Sequence, residues 1–362
     1  MGRVNRAGES GACERPARPE SRSVSAAARL ALACLLAVPV WTTASSLIAT
    51  SAFLVEFLGQ GRWRPLSALT REPLTRPLAA PPSPAGPVAI DLYVRPALRR
   101  APGLVLVHGL SPEGKDDARL REAAGQLARA GWAVAVPTVR GLTALRLRPD
   151  DSGAVSASVQ ALRAAGYPRV AILGVSLGAG PALLAAAEPG LAGDVSAVLA
   201  LGGYASAVEL LRYTLTGAYA FAELSGRASV HEEAIAQFAR ANTELVDGAG
   251  RRLVDNRDPV AFDGLVDALP RPTRELLDAL SPGRVLAGLH APLFLVHGRQ
   301  DPAVPFTESL RLRAAALAAG RPVRAAIVGA VGHVEAGSHA GGLADLVRLW
   351  ATLYAFRRTA GS

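Results

Sequence analysis

Thiols and lysine are almost missing from this chain of 362 residues: Cys13 and Cys34 are its only cysteines and Lys115 its only lysine. Both cysteines precede residue 60, so everything after them lacks a disulfide, a thiolate metal ligand and a cysteine nucleophile. The lack of a disulfide framework does not place a large domain inside or outside the cell. Hydrophobic residues continue well past Cys34, which argues against a lipid-modified mature terminus there. No His/Asp/Glu cluster has metal-ligand spacing and no glycine-rich phosphate loop occurs, so no metal and no cofactor is implied. With one lysine, the net charge of +9 is an arginine surplus. Those arginines are scattered and do not cluster with aromatics, which make up only 5 % of the chain, so the basic balance does not imply a nucleic-acid partner.

What the chain does have is apolar residues, at half its length, enough for a sizeable core in one large domain with an insertion or in two small ones. A tail over 1–29 carries Arg3, Arg6, Arg15, Arg18, Arg22 and Arg29 and has the composition of a disordered segment. From Leu30 to Val55 no residue is charged, a run of 26 bounded by Arg29 and Glu56. At about 1.5 Å per residue such a helix covers a hydrocarbon core of about 30 Å, and Pro39 would only kink it. The run is expected to be a transmembrane anchor. A cleaved signal peptide is the competing reading, because Thr50-Ser51-Ala52 offers small residues for cleavage. The arginine-rich tail favours retention in the cytoplasm and export of the remainder, although Arg62, Arg64, Arg71 and Arg76 weaken the asymmetry. Residues 59–87 contain Pro73, Pro77, Pro81, Pro82, Pro84 and Pro87 and read as a stiff linker.

Beyond the linker no internal repeat is found; β-prone and helix-prone segments alternate. Strands are expected at 88–94, 104–107, 132–136, 169–173, 195–201, 292–298 and 322–328, with helices at 116–130, 152–165 and 179–187. Alternation of this kind implies crossover connections and a mostly parallel sheet flanked by helices. It stops between Gly203 and Ala291, where helix-like stretches at 205–222, 229–243 and 273–280 occur. An insertion this long, at about 204–290, is expected to be a helical cap over the active site or a peripheral decoration.

Within this alternation stands Gly174-Val175-Ser176-Leu177-Gly178, where a strand should turn sharply into a helix. Asp301 follows the strand 292–298 and His333 follows the strand 322–328. A serine hydroxyl is un-ionised near neutral pH and needs a neighbouring imidazole to take its proton. The pentapeptide and the chain order Ser176, Asp301, His333, each just beyond a strand, resemble the α/β-hydrolase fold superfamily over about 88–358. The resemblance implies Ser176 as nucleophile, His333 as general base and then acid, and Asp301 as the group orienting the imidazole. It also implies an oxyanion hole made by the backbone N–H groups of Leu177 and of Leu110, the residue after His108-Gly109. His108 is expected to support that loop. His297, His339, Glu209, Asp151, Asp255 and Asp258 lack the setting of a triad member. Relatives often carry aspartate where Thr138 stands, which leaves details of the 137–141 loop open, and the serine nucleophile argues against the dehalogenase and epoxide-hydrolase branches.

The expected activity is cleavage of an ester-type bond through an acyl-enzyme, as in carboxylesterases, lipases and thioesterases, on a small-molecule or lipid-like acyl substrate. A peptidase or amidase of the same fold, and an inactive membrane-tethered binding protein, are the alternatives. A prolyl-oligopeptidase type would bring a large amino-terminal β-propeller, for which these residues leave no room. The expected location is the cell membrane with the catalytic domain on the exported side, or secretion after signal cleavage.

Overall fold

The computed structural model describes residues 1–2, 43–59, 62–84, 86–96, 101–242, 248–333 and 342–361. Contacts divide the chain into Met1–Ser45 and Ser46–Ser362. In the first unit only 1–2 and 43–45 are described, the last three opening a helix over 43–58 (α1). The second unit carries the fold.

Apolar runs too short for helices, such as Leu104-Val105-Leu106-Val107, become the strands of one eight-stranded sheet. Its members are β1 (Leu74–Pro77), β2 (Ile90–Val94), β3 (Gly103–Val107), β4 (Ala133–Pro137), β5 (Val170–Val175), β6 (Val195–Leu201), β9 (Leu293–Gly298) and β10 (Val323–Val328). The spatial order is β1-β2-β4-β3-β5-β6-β9-β10, antiparallel at β1–β2 and β2–β4 and parallel from β4 to β10. Alternate side chains leave opposite faces of the pleat. Val105 and Val107 join one core with Val155 and Val159 of α5 (Ser152–Ala164), Leu183 of α6 (Ala179–Ala186) and Leu312 of α12 (Thr307–Ala318). Leu104 and Leu106 join the other, with Leu120 and Leu127 of α3 (Ala118–Arg129) and Phe356 of α13 (Leu343–Gly361). Short helices α2 (Pro65–Leu69) and α4 (Arg140–Thr143) complete the body. The parallel strands put their carboxyl ends along one rim, where Ser176, Asp301 and His333 follow.

The insertion between β6 and β9 forms its own apolar core around Leu211, Leu215, Ile235, Phe262 and Leu277. It comprises α7 (Ala207–Thr216), α8 (Glu232–Ala241), α9 (Gly248–Val254), α10 (Phe262–Asp267) and α11 (Arg271–Ala279). The helix expected over 205–222 is shorter. Gly217 adopts φ +73° and its N–H bonds Tyr213 O, a left-handed stop, after which β7 (Ala218–Phe221) and β8 (Leu224–Arg227) pair as an antiparallel hairpin.

The amino-terminal elements differ from the sequence reading. Residues 3–42, and with them most of the arginine tail and the first half of the expected span, lie outside the described residues. Among the described residues no helix is long and apolar enough to cross a membrane. The second half of the run is α1, and from Ser51, whose hydroxyl accepts from Trp350 Nε1 at 3.1 Å, it is tied to the body. Leu54 is buried with Val296, Ala326, Val328 and Leu349, and Phe53 packs with the α3–α13 core. The 59–87 stretch is not a simple spacer either, since it contains α2 and the edge strand β1, paired in register Leu74 to Val94. Glu56 ties α1 to α2: its carboxylate accepts from Leu66 N–H at 2.9 Å, Ser67 N–H at 3.3 Å and Ser67 Oγ at 2.7 Å. Those N–H groups belong to the first turn of α2, where no intrahelical acceptor exists and a negative charge is favoured. Replacing buried Glu56 with Ala should cost about 1–3 kcal/mol, since buried donors lose their acceptor. Urea unfolding of Glu56→Ala should therefore show a lower midpoint with an unchanged slope.

Candidate active site

The turn after β5 holds Ser176 at φ +54°, left-handed backbone that non-glycine residues seldom adopt. Close approach of the chain on both sides enforces it. A Cβ on Gly174 would lie 2.6 Å from Ala179 Cα at the start of α6, and one on Gly178 would fall on the His108 carbonyl. With both positions bare, β5, the helical turn Ser176–Gly178 and the end of β3 nest together, and the hydroxyl is presented at the rim.

His333 meets that hydroxyl, with Nε2 at 2.6 Å from Ser176 Oγ. Its Nδ1 lies 2.8 and 2.7 Å from Asp301 Oδ1 and Oδ2. A carboxylate only accepts, so Nδ1 carries the proton and Nε2 of the neutral ring is left to accept from the serine. Asp301 also receives the N–H groups of Ala303 at 2.8 Å and Val304 at 2.9 Å on Oδ1. Burial pushes its carboxyl up, but hydrogen bonds and charge from His297 and His333 outweigh burial and bring it down to about 2.

His297, set aside at the sequence level, lies at the end of β9 with no exposed side chain. Its Nε2 donates to Val304 O at 2.9 Å and lies 3.4 Å from Asp301 Oδ2, while Nδ1 meets Ser309 Oγ at 2.7 Å. Val304 is thus held by Asp301 through its N–H and by His297 through its carbonyl. Tyr213 of α7 was also missed; its hydroxyl donates to Pro302 O at 3.3 Å, and its own pKa is pushed up to about 12 by burial and by Asp301. The one available signal was the four-residue spacing from His297 to Asp301; nothing in the sequence pairs Tyr213 with this loop.

The two expected oxyanion donors line the same cavity as Ser176 and His333. Leu177 lies in the opening turn of a helix, where N–H groups lack intrahelical acceptors. At the other donor, His108 Nε2 accepts from Val139 N–H at 3.0 Å, so Nδ1 carries a proton and donates to Gly109 O at 2.7 Å. The Gly109–Leu110 peptide is trans, which turns the Leu110 N–H to the side opposite that carbonyl. Burial lowers the pKa of His108, in keeping with a neutral supporting ring. Asp151 is buried and accepts from Gly141 and Arg148 N–H at 2.9 Å each, bracing the 137–141 loop away from the triad. Glu209 pairs with Arg212 and Arg311, and Asp255 with Arg251. His339 lies outside the described residues. Among the described residues no group of three His, Cys, Asp or Glu could hold a metal ion.

The cavity around Ser176 measures about 1220 Å³. Cap residues Leu210, Leu211, Phe238 and Leu277 form its roof, so the insertion covers the serine.

No protein-family model matches this chain, and no curated protein matches it. Solved structures do. A puromycin-hydrolyzing peptidase of Mycobacterium tuberculosis superposes with TM-score 0.52 at 20 % identity, over 82 % of this chain and 40 % of its own. Porphyromonas gingivalis dipeptidyl peptidase 4 gives 0.50 at 16 %, over 79 % and 36 %. An acylaminoacyl peptidase of Pyrococcus horikoshii gives 0.49 at 18 %, over 74 % and 38 %. The chain spans about two fifths of the length of these proteins. Together with the sheet order and the serine turn, the first two likenesses give the chain the α/β-hydrolase fold.

Asp301 supplies a pH test. Its pKa falls from 3.8 to about 2 on folding, so it stabilises the fold above pH 4 and that contribution is lost as pH drops through 2. The amount is about 2 kcal/mol. Acid titration of stability should show this loss in the wild type and its absence in Asp301→Asn.

Proposed function

We propose that the chain is a serine hydrolase that cleaves a carboxylic ester through an acyl-enzyme. The observation that carries this reading is the unbroken hydrogen-bonded line Ser176–His333–Asp301 at the floor of a capped apolar cavity. Ser176 Oγ attacks the ester carbonyl while its proton passes to His333 Nε2, and Asp301 balances the imidazolium. The developing oxyanion is met by the N–H groups of Leu177 and Leu110. When the intermediate collapses, the carbonyl–alkoxy bond breaks and His333 returns the proton to the departing alcohol. Water, deprotonated by the same imidazole, then attacks the acyl-enzyme, and the carboxylic acid leaves as Ser176 regains its proton. The mainly apolar lining suits an acyl chain, with polar side chains such as Arg146, Arg148, Gln237 and Asn242 interspersed in it.

Ser176→Ala should abolish labelling by a fluorophosphonate probe and lower turnover of short p-nitrophenyl esters by about 10⁶-fold. Labelling retained in that variant would refute the assignment.

We also propose that the protein is held at a membrane by the uncharged run, with the hydrolase on the exported side. Because residues from Ser51 onward are tied to the body, the part left for a bilayer is Leu30–Thr50, 21 residues, about 30 Å of helix. Fractionation of cells carrying a carboxy-terminally tagged chain should leave it full-length in the membrane pellet, with the tag digested by protease added to spheroplasts. A soluble species starting near Phe53 would instead reveal a cleaved export signal.

A further inference from the structure

The cavity that holds Ser176 continues beyond the cap, between α1 and α3, down to the sheet. Leu106 of β3 and Leu173 of β5 form the floor there, and Leu120, Ala123 and Leu127 of α3 form one wall. These three recur at helical spacing and so present one face. The opposite wall is Phe53 and Phe57 of α1, one turn apart and stacked with ring centres 6.0 Å apart and planes 12° from parallel. The charged residue between them, Glu56, has its carboxylate engaged by the first turn of α2 and brings no unsatisfied charge to this wall. Arg64 and Glu122, ion-paired at 3.7 Å and more than half exposed, stand where this part of the cavity reaches solvent.

We propose that the α1–α3 passage is the acyl-chain site, taking the extended hydrocarbon tail of a long-chain ester whose carbonyl sits at Ser176. The proposal rests on the reading of Ser176 as the acylated residue and adds the substrate class and the element that sets it. Several points carry it. The passage is continuous with the nucleophile, so one ligand can occupy both. Phe53, Phe57, Leu106, Leu120, Ala123, Leu127 and Leu173 give it a mainly aliphatic and aromatic surface, which matches a chain of methylenes, while the polar side chains Arg119, Glu122 and Gln126 of α3 also border the cavity. The whole cavity, at about 1220 Å³, exceeds the range of about 300–1000 Å³ usual for compact ligands, so a butyryl or acetyl group would leave most of it unfilled. Phe53 and Phe57 are therefore specificity-determining residues contributed by a helix that precedes the sheet in sequence. Each further methylene buried should raise kcat/KM about fourfold until the passage is full.

The experiment measures kcat/KM for p-nitrophenyl esters from acetyl to dodecanoyl with wild type, Phe57→Trp and Ala123→Trp, the two substitutions narrowing the passage from opposite sides. Wild-type values should climb with chain length past octanoyl, and the dodecanoyl-to-butyryl ratio should fall at least tenfold in both variants. Fluorophosphonate labelling reports whether each variant retains a formed site. Should the variants fail to fold, competition against butyryl ester in the wild type decides: inhibition that strengthens from butyrate to dodecanoate supports the passage. Short esters turned over without preference for longer ones, or an unaltered chain-length profile in well-folded variants, would overturn it while leaving the serine hydrolase intact. A wild type that is neither labelled nor active on any ester would sink the hydrolase reading, and this proposal with it.

Discussion

The buried carboxylate of Asp301 is the group on which the arrangement at the sheet rim depends. Its two oxygens are shared among the His333 ring and the N–H groups of Ala303 and Val304, with His297 in contact behind. Ionised and dry, it would be costly if any of these were missing. The same loop receives the Tyr213 hydroxyl from the cap, so the orientation of the imidazole, the 302–304 turn and the seat of α7 are fixed around one charge. A second buried carboxylate, Glu308, repeats the device nearby: it accepts from Ala205 and Ser206 N–H at 2.9 Å each, where the chain leaves β6 for the cap. Burial raises its pKa despite those bonds.

The sheet and the triad were legible in the sequence because each obeys a local rule. Val195–Leu201 is an apolar run of strand length, and its bounds are the expected ones. Gly174 and Gly178 flank the serine because any side chain there would meet α6 or the His108 carbonyl, a requirement visible as a five-residue pattern. Asp301 and His333 follow strands that neighbour one another in space. Their parallel pairing, with Val323 opposite Leu293 and Val328 opposite Gly298, brings both residues to the rim. Long-range partners were not legible. Tyr213 reaches the acid loop across 89 residues of sequence, and His297 acts through Val304 by a backbone carbonyl that any residue would supply. The hairpin after Gly217 was hidden because its first strand has no apolar–polar alternation: Ala218-Tyr219-Ala220-Phe221 reads as a continuation of α7 until the left-handed glycine is considered.

That the second half of the uncharged run packs on the body has a different cause. An uncharged apolar run satisfies a bilayer and a protein groove equally well, and hydropathy does not distinguish the two solvents. What decides between them is the partner surface. Val296, Val328 and Leu349 form an apolar strip that Leu54 covers, and the residues forming that strip lie at the far end of the sequence. The proline-rich stretch departs from a plain linker for a related reason: Pro77 ends an edge strand whose outer side has no neighbour among the described residues, a place in a sheet that tolerates proline.

The burial of Leu54 makes α1 part of the folded body. A polypeptide trimmed back to the first central strand would retain every triad residue and yet lay bare Val296, Val328 and the floor of the passage at Leu106 and Leu173. Such an uncovered strip is the kind of surface through which copies adhere to one another. Helix α1 is thus a fitted part of the fold, and removing it would leave an adhesive face in its place.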